Sequence, residues 1–501
     1  MKIPKEVKST IAKLQKNGFE AYIVGGCVRD ILRKDEPKDW DITTNAKPEE
    51  IQKLFKKSFL DNNFGTVTVL TGSKNEQLKE VEITPYRIEA KYTDKRHPDK
   101  ISWAKTIKDD LSRRDFTVNA VAINLETHNI KHETKKLKRE GGFKIVDPFN
   151  GQKDIENKII QTVGNAKKRF SEDALRMLRA IRFAVCLGSK IWEIEEKTFQ
   201  GIKKNAQLLE LISKERIRDE LNKIIMSPNG AKGIEILRRV GLLKYIIPEL
   251  EQGFNIEQNK HHIYQVYQHI LLSLNYACQN NFSKEVRWAS LLHDIGKPKT
   301  KDGEGLNATF YNHEVVGAKM CYQILRRLKF SNKEVEKITK LVRFHLFYYN
   351  VDEVGESSVR RLLRRIGQEN IEELLQVRMS DRIGSGVPKA EPYKLRHLKY
   401  LFEKVAKDPI SVKTLKVSGK DVMKILNVRP GPKIGQVLSY LLEQALQEPR
   451  KNNKTYLEKE IKRLGKMSEQ ELEKVSEKAK QEIEEIEIKQ DKMTKKKYWV
   501  T

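Results

Sequence analysis

A chain of 501 residues can build about three domains, and 38% hydrophobic with 33% charged residues gives it cores under a highly charged surface. Lys and Arg number 97 against 69 Asp and Glu, a net charge of +28, which argues for a polyanionic partner, nucleic acid before anionic membrane. No run nears the ~18 consecutive apolar residues of a membrane-spanning helix. The start, MKIPKEVKSTIAKLQ, has no apolar signal core, and Cys27, Cys186, Cys278 and Cys321 are too scattered for a metal clip or a disulfide framework. They read as reduced core residues of a cytoplasmic protein, which excludes fibrous, secreted and membrane-spanning classes.

Residues 1 to about 165 read as mixed α/β. A helix over about 4–17 leads into a short apolar strand, Ala21–Val24, and later β-branched runs predict strands at Gly65–Leu70, Glu80–Thr84 and Val118–Ile123. Helical spacing lies between them at Pro48–Lys57, with a start at Asn45 to Lys47. From about 166 onward the apolar period is helical, as in Asp173–Leu187, Ile217–Met226 and Val286–Leu292. Boundaries are expected near 165, 255 and 388. The stretch 466–501 is Glu/Lys-rich and predicts a solvated helix or a frayed tail. There is no internal repeat.

Four segments of the first half carry chemistry. In Ile23-Val24-Gly25-Gly26-Cys27-Val28-Arg29-Asp30, two glycines after a strand let the backbone approach a bulky anion, and Arg29 supplies a fork for phosphate oxygens. Alone this is equally a tight strand-to-helix turn. In Asp39-Trp40-Asp41-Ile42-Thr43-Thr44, a strand would point both carboxylates to one face, where their repulsion calls for a cation; Mg²⁺, a hard ion with oxygen ligands, suits it. In Asp110-Leu111-Ser112-Arg113-Arg114-Asp115-Phe116-Thr117-Val118-Asn119-Ala120, adjacent arginines beside an aspartate suit a ribose triphosphate. The run Glu172–Arg182 reads as one helix on which Asp173, Arg176, Arg179 and Arg182 recur every three residues. Each segment has an ordinary reading as an ion-paired turn or a solvated helix face; their joint order is what is specific.

That order, Gly-Gly-x-Val-Arg-Asp, Asp-x-Asp, Arg-Arg-Asp-Phe-Thr-x-Asn-Ala and Glu-Asp-x-x-Arg, resembles the class II (bacterial) tRNA nucleotidyltransferase and poly(A) polymerase family over about residues 20–250. The segment Ser418-Gly419-Lys420-Asp421…Pro430-Gly431-Pro432…Gly435 also matches. The resemblance implies an α/β, polymerase-β-like head followed by an all-α neck, body and tail. It implies that Asp39 and Asp41 hold Mg²⁺ and align the 3′-hydroxyl of an RNA end on the α-phosphate of a nucleotide. Glu82 is a candidate third carboxylate. Gly25, Gly26 and Arg29 would grip the triphosphate, and Arg113, Arg114, Arg179 and Arg182 would face ribose and phosphates. Asp115 and Glu172 are further candidates within the same motifs. Asp173 accepts only, so it should favour the amino groups of C and A, while Arg176 donates to their ring nitrogens; U and G would face repulsion. Such a protein template is what the family uses to add CCA to tRNA. Tyr92–Asp99 resembles the loop with which CCA-adding enzymes switch from CTP to ATP.

Six of the ten histidines fall within 261–345. His269, His293-Asp294 in Leu-His-Asp-Ile-Gly-Lys, His313, His345 and Asp381 follow an order that resembles the HD-domain phosphohydrolases over about 255–388. Imidazole and carboxylate together suit Mn²⁺, Ni²⁺ or Fe²⁺, with His313 and His345 matching positions of a second ion. His261 and His262 read as outer or surface residues.

The expected domains are thus a head (1–165), a helical neck for base selection and RNA binding (166–254), an HD domain (255–388), a helical tRNA-binding tail (389–465) and a charged extension (466–501). Lys167-Lys168-Arg169, Arg360-Arg361, Arg364-Arg365 and Lys495-Lys496-Lys497 are candidate contacts to an RNA backbone. The expected activity is CCA addition from CTP and ATP to the tRNA 3′ end and acceptor stem, with a metal-dependent phosphohydrolase beside it. An A-adding enzyme or poly(A) polymerase is the alternative, and an RNA-binding protein with a dead head the distant one. Oligomeric state is not readable.

Overall fold

The head is built on one mixed sheet whose strands are short apolar runs. In chain order they are β1 (Ala21–Val24), β2 (Asp41–Thr44), β3 (Ser58–Leu60), β4 (Val67–Leu70), β5 (Glu80–Pro85), β6 (Ala122–Leu125) and β7 (Phe143–Val146). They lie in the order β3-β4-β5-β2-β1-β6-β7. The β2–β5 pair is parallel and the others are antiparallel. Ile23, Ile42, Val81, Ile83 and Ile123 form the core beneath the sheet, closed by Val7, Ile11 and Leu14 of the helix Lys5–Lys16. In this computed structural model the described residues are 3–61, 65–90, 100–125, 143–258, 263–351, 353–406 and 412–500. The loop Tyr92–Asp99 and His261 and His262 lie outside them.

Two compact units make up the chain: 1–345 with 373–388, and 346–372 with 389–501. The first holds the sheet and the helices that follow it, so positions 165 and 255 fall inside one unit and 388 is its last residue. The second unit is helical. Its core joins Val422, Val437, Leu441, Leu457, Ile461, Leu464 and Leu472. Among the described residues no helix is long and apolar enough to cross a membrane.

Three expectations need correction. Val118 is not in a strand: Thr117–Asn119 is a 3₁₀ turn and β6 begins at Ala122. The β-branched residues there are overridden by side-chain bonds, Thr117 to Asp154 and Asn119 to Asp115. The run 172–182 is not one helix. Ala166–Glu172 ends at Asp173, whose extended backbone (φ −136°, ψ 107°) precedes a second helix, Leu175–Cys186. The Asp173 carboxylate accepts the Leu175 N–H at 3.0 Å, a local bond that competes with helix continuation. Cys186, at the end of that helix, is exposed, while the other three cysteines are buried. For the Glu/Lys-rich C-terminus the solvated-helix reading holds over the frayed tail: Glu469–Tyr498 is a helix with a Ser468–Glu471 capping box, mostly exposed, that buries Leu472, Ser476, Ala479 and Thr494.

Candidate functional site

Two acids of the head lie side by side on neighbouring strands. Asp41 opens β2, facing Val24 of β1 on one side and Glu82 of β5 on the other. Asp41 and Glu82 are register partners and therefore share a face of the sheet. Asp39 lies in the bend before β2 rather than in the strand, and Trp40 between the acids is buried in the core. Burial pushes the Asp41 carboxyl up to about 6; Asp39 and Glu82 add to the rise and Arg114 opposes it. Glu82 is raised by burial, by Asp61 and by Asp39. Beyond burial, Asp39 thus adds to the rise of both strand acids, an excess of negative charge that a divalent cation would offset.

Gly25 is fixed by this arrangement. Its φ is +81°, and a Cβ would lie 3.1 Å from the Arg114 guanidinium and 3.2 Å from Asp41 Oδ2. Only glycine offers both the conformation and the space. Gly26 then opens the short helix Gly26–Leu32.

The arginines are not loose. Asp110, buried and held below the usual carboxylate range because Arg113 and Arg114 outweigh its burial, binds Arg113 at 2.8 Å and Arg114 at 3.3 Å. Arg29 reaches Asp30 and, at 2.9 Å, the side-chain oxygen of Asn119. Asn119 donates to Asp115 at 3.1 Å, and Asp115 takes Arg179 at 2.6 Å. One chain of hydrogen bonds thus joins the double-glycine segment, the Arg-Arg-Asp segment and the helix Leu175–Cys186. Burial pushes Asp115 up, but Arg179 and Asn119 outweigh it and hold the carboxyl at about 2. Arg29, Arg179 and Arg182 gather round the Phe183 ring at 5.3, 5.3 and 4.3 Å. Each of the three is also paired with an acid: Arg29 with Asp30, Arg179 with Asp115 and Arg182 with Glu220.

Asp173 and Arg176 are held by different partners. Arg176 binds Glu172 at 2.7 Å and the carbonyls of Arg169 and Arg113 at 3.3 and 3.4 Å. Asp173 pairs instead with Arg216 at 3.0 Å, from the helix Lys214–Met226. The same helix sends Glu220 to Arg182 at 2.9 Å. Arg216, Glu220, Asn119, Asp110 and Phe183 were given no role by sequence reasoning. Only Asn119 and Asp110 sit inside a recognised motif; the others are joined by contacts distant in sequence.

The histidines converge in the first unit. His269 Nε2 lies 2.9 Å from His293 Nε2, 3.0 Å from Asp294 Oδ2 and 3.3 Å from Asp381 Oδ1. His293 Nε2 lies 3.3 Å from Asp294 Oδ2. Bonds of about 2.1 Å to one ion would put adjacent ligand atoms about 3 Å apart, so this set fits a divalent transition metal. The other oxygen of Asp294 is 3.3 Å from His313 Nε2 and 3.7 Å from His345 Nε2, a second group suited to an ion bridged by the same carboxylate. His293, His313 and His345 each turn Nδ1 to a carbonyl in their own turn, of Ser290, Phe310 and Val342, at 2.9, 2.7 and 2.7 Å. A proton donated there leaves Nε2 free as a ligand. Asp294 and Asp381 are held well below the usual range despite burial, by His293 and Lys297 and by Arg378 and His269 respectively. Lys297, buried between Asp294 Oδ2 (2.7 Å) and Gln258 Oε1 (2.6 Å), is a further member that the motif alone did not single out.

Comparison with known proteins agrees with the head's geometry. The family model for the poly A polymerase head domain matches residues 21–161, that for the probable RNA and SrmB-binding site of polymerase A matches 192–254, and that for tRNA nucleotidyltransferase domain 2 matches 307–461. The CCA-adding enzyme of Lactococcus lactis subsp. lactis (strain IL1403) is 31% identical over 469 residues, 92% of this chain and 99% of that protein. The CCA-adding enzyme of Geobacillus sp. (strain WCH70) is 32% identical over 442 residues, 87% of this chain and 91% of the relative. Among solved structures, the Bacillus stearothermophilus CCA-adding enzyme in complex with CTP aligns with a TM-score of 0.57 and 27% identity, covering 92% of this chain and 97% of that one. Similarity of this identity along nearly the whole length of both sequences places the chain in the CCA-adding enzyme family of tRNA nucleotidyltransferases.

Proposed function

We propose that this chain adds C, C and A to tRNA 3′ ends from CTP and ATP without a nucleic-acid template. The observation that carries the reading is the continuous set of bonds from Arg29 through Asn119 and Asp115 to Arg179, beside the Asp41–Glu82 strand pair. Asp39 and Asp41, with Glu82 as a third acid, would hold Mg²⁺. Such an ion, when bound, supplies Lewis-acid polarisation at the α-phosphate and charge for the departing pyrophosphate. The residues of the chain do the rest. Gly25 keeps the turn beside Asp41 clear of side chain, Arg29, Arg179 and Arg182 bind phosphate oxygens, and Asp110 orients Arg113 and Arg114 toward the ribose. Asp173 and Arg176 read the base by accepting from and donating to its edge. The exposed arginines 360, 361, 364 and 365 on the helix Glu356–Ile366 suit an RNA backbone. Reduced cysteines and a tRNA substrate fit a cytoplasmic location.

The test uses tRNA transcripts lacking three, two or one terminal nucleotides, each with labelled CTP or ATP. CTP incorporation into the transcript lacking CCA, followed by a single A, supports the reading. ATP incorporation alone would replace it with A addition, and long untemplated A tracts with poly(A) synthesis.

A second activity is favoured by the two ligand groups that share Asp294. We infer an HD-type centre in which His269, His293, Asp294 and Asp381 hold one transition metal, such as Mn²⁺, Ni²⁺ or Fe²⁺, and His313 and His345 help hold another. Its substrate would be a phosphoester. Release of phosphate from a 2′-nucleotide, or ring opening of a 2′,3′-cyclic phosphate, lost in Asp294→Ala, is the corresponding assay; no turnover of either with metal loaded would make the centre structural.

A further inference from the structure

Asp173 sits where no regular backbone holds it. It occupies the extended joint between Ala166–Glu172 and Leu175–Cys186, so its side-chain direction depends on side-chain and capping contacts. Two define it. The Leu175 N–H donates to Oδ1 at 3.0 Å, and the Arg216 fork approaches both oxygens, NH2 to Oδ2 at 3.0 Å and NH1 to Oδ1 at 3.5 Å. Arg216 is 43 residues away in sequence, on the helix Lys214–Met226. One turn further, Glu220 of that helix forms an ion pair with Arg182 and is itself buried. A single helix therefore braces both ends of the arginine-bearing segment.

Selecting an amino-bearing base with a carboxylate demands that its acceptor oxygens not swing. A guanidinium fork meets this demand: it fixes the carboxylate plane, while the carboxylate retains acceptor capacity for a further donor. Arg176 needs no such help, being tied by Glu172 and two carbonyls.

We propose that Arg216 is a positioning residue for nucleotide choice, acting through Asp173 to keep its carboxylate oriented. The inference rests on the reading of Asp173 as a base-selecting residue and deepens it.

The experiment measures kcat/KM for CTP, ATP, UTP and GTP on tRNA lacking its last nucleotides, for the full chain and for Arg216→Met, Arg216→Lys and Asp173→Ala, with a melting curve for each. In Arg216→Met the preference for CTP over UTP should fall about tenfold or more, the discrimination attributed to one good bidentate pair. Lys, a point charge without the fork, should restore part of it. A proportional loss for all four nucleotides, with the preference unchanged, would overturn the proposal by reducing Arg216 to a structural strut. If Arg216→Met does not fold, Arg216→Lys decides, and wild-type selectivity in that variant counts against the proposal. Unchanged selectivity in Asp173→Ala would overturn the underlying reading of Asp173; blurred selectivity there with intact selectivity in both Arg216 variants would overturn the Arg216 proposal alone.

Discussion

Replacing Asp115 by Asn removes one charge from the junction between the Arg-Arg-Asp segment and the helix Leu175–Cys186 while keeping the side chain's shape. Two estimates of the cost agree. Removing one partner of a fully buried ion pair costs about 3–5 kcal/mol. A third of the Arg179 side chain, 34%, remains accessible, so solvent screening reduces this to about 2–3 kcal/mol. Independently, a carboxyl moved from an ordinary 3.8 to about 2 contributes about 2–3 kcal/mol at ~1.4 kcal/mol per pH unit. The folded value is depressed, so this stability is complete above pH 4 and is lost as pH falls through about 2. Asn cannot titrate. Urea denaturation followed by far-ultraviolet circular dichroism should therefore show wild type ahead of Asp115→Asn by about 2–3 kcal/mol at pH 7, and by about half that at pH 3. A gap below about 1 kcal/mol at pH 7, or one that stays constant between pH 7 and pH 3, would refute the assignment of the stabilisation to this charge.

The remaining expectations separate the two sites. Asp41→Asn should abolish CTP and ATP incorporation while leaving bound transition metal, measured by elemental analysis, unchanged; joint loss would mean the sites are not independent. Asp294→Ala should do the reverse, losing metal at both histidine groups because one carboxylate serves both, with nucleotide incorporation within about twofold of wild type. Gly384→Ala should lower metal affinity by at least about tenfold. A Cβ there would overlap the Ser273 hydroxyl and lie 2.8 Å from the His269 carbonyl oxygen, forcing apart the helices that carry His269 and Asp381. Wild-type metal content in that variant would show that the packing can relax.

Local chemistry was legible and distant partnership was not. β1 was read at its true limits, because Ala-Tyr-Ile-Val followed by two glycines has few other conformations. The histidine order pointed to side chains that the structure does bring together, because the ligand types and the His-Asp pair announce themselves without knowledge of the path between them. Asp173 was misread as helical, since the periodicity of Arg176, Arg179 and Arg182 extrapolates smoothly back across it. Where the preceding helix ends, the Asp173 carboxylate accepts the Leu175 N–H, and such a side-chain bond leaves no periodic trace. Arg216 and Glu220 looked like the charged face of an ordinary amphipathic helix. Their function depends on which acid or base the fold sets opposite them, and composition does not carry that information.

The interleaving of the two units has a consequence for how the protein is made. Residues 346–372 belong to the second unit, yet Asp381, which lies beside His269 and His293, belongs to the first. The 88 residues from His293 to Asp381 take ~5–20 s to emerge at the usual pace of a ribosome. During that interval the nascent chain carries His269, His293 and Asp294 without their fourth partner. The four motif segments of the first half, all upstream of Met226, are synthesised before it arrives. On the proposed reading of this group as a metal centre, capture of its ion would be a late event of biosynthesis, sensitive to translation speed and to which ion is most abundant at that moment.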